Sequence, residues 1–170
     1  MVTRQPRPQQ QTPATRIRSR ILIIEARFYE EIADELAAGA IAELEACGCS
    51  YERVAVPGAL EIPQVLTLAA RSGIIPLTAD NARYAGAIAL GCVIRGETSH
   101  YDIVCNNANH WLMETATRDA IPVGNGILTV DTEKQALERA RGGRDGKGGD
   151  AARACLRLID LSRQFHGLHV

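Results

Sequence analysis

The chain has 170 residues, 46 % of them hydrophobic and 23 % charged, the balance of one soluble globular domain large enough to bury a substantial core. Its net charge of −1 hides an asymmetry: Arg4, Arg7, Arg16, Arg18 and Arg20 precede the first acid, Glu25, leaving fourteen bases against twenty acids, near −6, for the rest. That balance speaks against a nucleic-acid-binding surface, no apolar run is long enough to span a membrane, and five cysteines at scattered spacings make neither a zinc pattern nor a disulfide framework.

Residues 1–19 are basic and rich in Pro and Gln, with no apolar segment that could serve as a signal peptide. They read as a disordered tail on a cytoplasmic protein, and the prolines and missing amphipathic face disfavour a mitochondrial presequence. The domain is expected over residues 20–170. Ile21-Leu22-Ile23-Ile24 is a first buried strand that runs into Glu25-Ala26-Arg27-Phe28, placing Phe28 at a carboxyl end. The following helix carries Ile32, Leu36, Ala40, Ile41 and Leu44 on one face, sets Glu30, Asp34, Glu35 and Glu43 elsewhere, and stops at Gly48. Tyr51 to Val56 is a second strand, broken by Pro57-Gly58. A helix then opens at Ala59-Leu60-Glu61-Ile62-Pro63 and continues through Ala70, with Pro63 tolerated in its first turn. Ser72 to Tyr84 is a polar connection.

The stretch Gly86 to Val104 organises the rest. Ala87 to Ile94 is an apolar, β-branched run of the kind buried on both faces, and it leads straight into Arg95-Gly96-Glu97-Thr98-Ser99-His100. Gly96 lets a ligand approach the backbone, Thr98 or Ser99 can cap the next helix, and the free N–H groups there suit a phosphate, with His100 alongside. The helix shows Val104, Ala108, Trp111, Leu112 and Thr115 on a common face. The last strand, Val123 to Val130, is interrupted by Gly124-Asn125-Gly126, a sign of a bulge or of close approach by a ligand or another backbone. Asp131 or Thr132 caps a helix to Ala140, the Gly-rich run Arg141 to Gly149 must be flexible or sharply bent, and a final helix presents Ala151, Ala154, Cys155, Leu158 and Ile159. Four strands alternating with helices predict a three-layer α/β/α sandwich on a four-stranded parallel sheet, with flavodoxin-like topology.

Taken together and in order, several of these pieces resemble the 6,7-dimethyl-8-ribityllumazine synthases of riboflavin biosynthesis. They are Ala26-Arg27-Phe28, Val56 to Pro63, Ala89-Leu90-Gly91 to Thr98 with His100, Asn125-Gly126-Ile127-Leu128-Thr129, and Glu133 onward through Arg139-Ala140 to Lys147-Gly148. The resemblance implies condensation of 5-amino-6-(D-ribitylamino)uracil with 3,4-dihydroxy-2-butanone 4-phosphate, without a metal or organic cofactor. It implies stacking of the pyrimidine on Phe28, ribityl binding around Ala59, Leu60 and Glu61, substrate contacts at Val93 and Ile94, and a phosphate loop at Gly96, Glu97 and Thr98. It makes His100 the general acid/base, a role suited to an imidazole's ordinary pKa of about 6.5. Arg139 becomes a phosphate ligand and Lys147 a residue near the substrates. Asn125 stands where many relatives carry an aromatic, so the second wall of the pyrimidine pocket is expected to be polar. The resemblance further implies a homo-oligomer whose sites straddle subunits. A pentamer or paired pentamers is expected rather than a sixty-subunit shell, because Arg141 to Gly146 lacks the usual Thr-Lys-x-Gly character. A non-catalytic lumazine- or flavin-binding relative is the alternative. A phospho-receiver module ranks last, since Glu25 has no acidic neighbour to share a magnesium ion.

Overall fold

A computed structural model describes residues 19–167; the expected tail, apart from Ser19, lies outside the described residues. The chain alternates strand and helix: β1 (Arg20–Ala26), α1 (Glu30–Ala46), β2 (Ser50–Val56), α2 (Glu61–Arg71), β3 (Gly86–Ile94), α3 (His100–Arg118), β4 (Val123–Val130), α4 (Glu133–Ala140) and α5 (Lys147–Phe165), with a 3₁₀ turn at Gly143–Asp145. All strands pair in parallel, in the order β2-β1-β3-β4. That is the start of the flavodoxin-type order, and its reversal between β1 and β3 opens a crevice at their carboxyl ends.

Alternation along the strands divides the core in two. Ile21, Ile23, Ile88, Leu90, Leu128 and Val130 face α1, α4 and α5, while Leu22, Ile24, Ala87, Ala89, Val123 and Ile127 face α2 and α3. The central strands β1 and β3 are buried along almost their whole length, as their unbroken aliphatic runs require, whereas β2 is a half-exposed edge. No helix of the described residues is long and apolar enough to cross a membrane.

Four local expectations are revised. Strand β4 is not interrupted: a Cβ at Gly124 would collide with the carbonyl oxygen of Ala151, so the glycine lets α5 of the same chain lie against the sheet. Trp111 is 51 % exposed, because Ala108, Leu112, Thr115 and Ala116 already complete the seam with α2 and Trp111 falls at its margin. On α5 the buried stripe is Ala151, Ala152, Cys155, Leu156 and Ile159, leaving Leu158 outside. Glu43 does not join the polar face of α1. It is fully buried, accepting hydrogen bonds from Arg144 Nε at 2.7 Å and Arg153 Nη1 at 3.1 Å, with the Cys47 thiol 3.8 Å away. This pairing ties the Gly-rich bend and the start of α5 to α1.

Candidate active site

Three strand ends build one cleft. After β1, Arg27 is held by Asp34 (Nη2 to Oδ1, 2.6 Å), lies 3.6 Å from Glu25, and donates its backbone N–H to Val56 O at 3.1 Å. With its neighbour so fixed, Phe28 projects from the turn 72 % exposed, its ring set edge-on to Tyr29 at 4.9 Å. A large aromatic left in water at a strand's carboxyl end contributes little to folding and is available to a ligand. After β2, Pro57-Gly58 turns the chain so that Glu61 opens α2 with its N–H on Gly58 O at 3.2 Å. After β3, residues 95–99 lead exposed into α3, and a Cβ at Gly96 would meet nothing within 4 Å.

These turns enclose about 390 Å³ lined by Phe28, Ala59, Leu60, Glu61, Val93, Ile94, Gly96, Thr98 and His100. Nine expected site residues thus meet in one place. Glu97 lies in the same turn but is not in the lining. Asn125, Arg139 and Lys147 stand apart from this cleft. Asn125 is on β4, its Nδ2 donating to Asn109 Oδ1 at 2.7 Å and its Oδ1 accepting from Ile127 N at 3.0 Å. Arg139 lies exposed on α4, with Nη1 on Gln135 O at 3.0 Å, and Lys147 is the first residue of α5.

The helix beginning at His100 is open at its end. Ser99 occupies the cap position without a side-chain cap bond, and Thr98 Oγ1 accepts only the His100 N–H, at 3.3 Å. The amides of a helix's first turn that lack such a cap favour an anion in front of them. Tyr29, Cys92, Tyr101 and Val104 also line the cleft, and the sequence reading missed them. Tyr29 and Tyr101 directly follow Phe28 and His100, which is the signal that could have found them. Burial raises the phenol pKa of both tyrosines, and it pushes the Cys92 thiol up to about 12, with Cys105 adding to the shift, so Cys92 is no nucleophile near neutral pH. Among the described residues no group of three His, Cys, Asp or Glu is placed to hold a metal ion.

Fold and cleft define a class: a doubly wound α/β protein whose switch-point crevice offers an aromatic face, a carboxylate, an imidazole and a helix N-terminus to a small molecule. Comparison with known proteins narrows this. A sequence model of 6,7-dimethyl-8-ribityllumazine synthase matches residues 18–163. The 6,7-dimethyl-8-ribityllumazine synthase of Azorhizobium caulinodans is 51 % identical over 146 residues, covering 86 % of this chain and 88 % of that protein. The one from Bartonella bacilliformis is 46 % identical over 154 residues, 91 % of this chain and 97 % of that protein, and 6,7-dimethyl-8-ribityllumazine synthase 1 of Rhodopseudomonas palustris is 47 % identical over 147 residues, 86 % and 88 % of the two chains. The chain belongs to the 6,7-dimethyl-8-ribityllumazine synthase family.

Proposed function

We propose that this cleft condenses 5-amino-6-(D-ribitylamino)uracil with 3,4-dihydroxy-2-butanone 4-phosphate, releasing phosphate and water, in the riboflavin biosynthesis of the cytoplasm. The observation that carries the reading is the meeting, in a chain of this family, of Phe28, Glu61, the open turn at Gly96 to Thr98 and His100 around one cavity. Phe28 stacks on the pyrimidine. Glu61, with the backbone of Ala59 and Leu60, accepts hydrogen bonds from the ribityl hydroxyls, and the edge formed by Val93 and Ile94 borders the ring. Gly96, Glu97 and Thr98 shape the turn that holds the phosphate before the open helix end.

The chemistry asks for proton transfers and little else. The 5-amino nitrogen attacks the ketone, and loss of water leaves an imine. A proton lost from the neighbouring carbon expels phosphate, the hydroxyl on that carbon becomes a carbonyl, and the ribitylamino nitrogen closes the ring on it with loss of a second water. His100 accepts and returns the protons, while much of the acceleration comes from holding two substrates in contact.

The working protein is a homo-oligomer, a ring of five in its simplest form, in which Asn125, Arg139 and Lys147 of one subunit complete the cleft of the next. Support comes from the position of these three outside their own chain's cleft. It comes also from the outer face of α2 and α3, where exposed Leu68 and Trp111 border a groove of about 680 Å³ that a second copy would cover. Mixing both substrates with the purified protein tests the activity. Lumazine absorbance and phosphate should rise together well above the spontaneous rate, and a rate no better than the spontaneous one would overturn the reading and leave a binding protein.

A further inference from the structure

The first turn of α3 carries His100 and Tyr101 into the cleft, yet it lacks the side-chain cap that holds α4. There Thr132 and Gln135 form a complete capping box. The His100 amide meets Thr98 Oγ1 at 3.3 Å and the Asp102 amide meets Ser99 O at 3.1 Å, but no side chain at the cap position braces the turn, which is prone to fray. Something else must locate it.

One side chain outside the cleft reaches the right atoms. Arg95 follows β3 directly, and its backbone N–H donates to Val130 O at 2.9 Å, extending the β3–β4 ladder by one step. Its Nε donates to Asp131 Oδ1 at 2.9 Å, and the Asp131 N–H is itself bound to Gln135 Oε1 at 2.9 Å, so the guanidinium is referred to the capped start of α4. From that anchor the guanidinium stands 4.2 Å over the ring of Tyr101, with Nη1 3.8 Å from Asp102 Oδ1. Both partners lie in the first turn of α3, next to His100. We propose that Arg95 is a positioning residue, a strut from the end of β4 to the open end of α3 that holds the His100 turn and the phosphate loop in register without filling the cap position of α3.

The inference rests on the proposed roles of His100 and the loop. Only arginine combines a planar face for the ring with a fork for the carboxylate, so lysine should not replace it. Because Arg95, Asp102 and Asp131 are all largely solvated, the ion pairs themselves contribute little to folding. The effect belongs in placement.

Arg95→Lys and Arg95→Ala in the assembled full-length protein test it. Both should lower kcat about tenfold or more, since misplacement by about 1 Å is enough for that, with a KM for the pyrimidine changed less than about twofold and a nearly unchanged melting temperature. Guanidinium chloride at tens of millimolar should restore part of the activity of Arg95→Ala and none of Arg95→Lys. An unchanged kcat, or losses that follow a lowered melting temperature and ignore guanidinium, would overturn the proposal. Should the wild type fail to make lumazine, the condensation reading falls, and titration with inorganic phosphate decides for Arg95: affinity weakened about fivefold in Arg95→Ala supports the strut, and equal affinity overturns it.

Discussion

Phe28→Ala separates binding from folding. The ring is 72 % exposed, touches Tyr29 edge-on and belongs to neither core cluster, so its removal creates no cavity and should change unfolding free energy by less than about 0.5 kcal/mol. Among the described residues that line the cleft, Phe28 is exposed whereas Tyr29 and Tyr101 are half-buried, so its ring offers the most accessible phenyl face. If a base stacked on a protein aromatic is the right guide, losing it costs about 1 to 3 kcal/mol of pyrimidine binding, or roughly five- to a hundred-and-fiftyfold in Kd. Calorimetric titration with 5-amino-6-(D-ribitylamino)uracil, beside urea unfolding of the same preparation, measures both. A variant that binds as the wild type does would refute the stacking role. One that unfolds several kcal/mol sooner would refute the argument from exposure.

His100→Ala should lower turnover by about ten- to a hundredfold with modest changes in KM, because proton transfer is removed while positioning remains; steady-state kinetics with both substrates checks it, and unchanged turnover would move the proton work elsewhere. Glu43→Ala strips a fully buried carboxylate from two arginines, of which Arg144 can turn to water and Arg153 keeps Asp150 at 2.7 Å. The cost should be about 2 to 4 kcal/mol, read as a lowered urea midpoint, and a shift below about 1 kcal/mol would mean that the pairing contributes little. Cys155 is fully enclosed and its thiol is pushed up to about 12 by burial, above its unfolded value of about 8.5. The neutral thiol is therefore favoured in the folded state, and its stabilising contribution is complete below pH ~8.5 and lost as pH climbs toward 12, at up to about 1.4 kcal/mol per pH unit. Unfolding free energies measured from pH 8 to 11 should decline, and less so in Cys155→Ala; parallel curves would contradict the assignment.

What the sequence made legible followed from short-range rules. Unbroken aliphatic runs marked β1 and β3 as buried strands, Gly48 and either Asp131 or Thr132 marked helix ends, and the polar turn past β3 marked Gly96, Thr98 and His100 as a ligand site, while the family resemblance supplied the roles of Phe28, Ala59, Leu60, Glu61, Val93 and Ile94 in the cleft. What stayed hidden depends on partners far along the chain. Glu43 looks like any surface glutamate until Arg144 and Arg153, more than a hundred residues on, close over it. Arg95 looks like a flank of the phosphate loop until Asp131, 36 residues later, turns it toward Tyr101. Trp111 and Leu158 were misplaced for a milder reason. A helix stripe has edges, and periodicity alone does not say how closely small residues such as Ala108 and Ala152 bring a neighbour in. Gly124 left a bulge, a ligand and another backbone open, and only the packed fold shows that it is the backbone of α5 at Ala151 that approaches.

The claim on which the account turns is that the cleft of one subunit is finished by Arg139 of another, and intersubunit complementation tests it most directly. His100→Ala and Arg139→Ala should each be nearly inactive alone. Co-expressed equally and assorted at random, they should leave roughly a quarter of the interfaces with an intact His100 facing an intact Arg139, and activity should return to about that fraction of wild type. With mixed rings verified by mass spectrometry, that recovery is the predicted result, and mixed rings no more active than the single variants would show that both groups serve one chain and contradict the shared site.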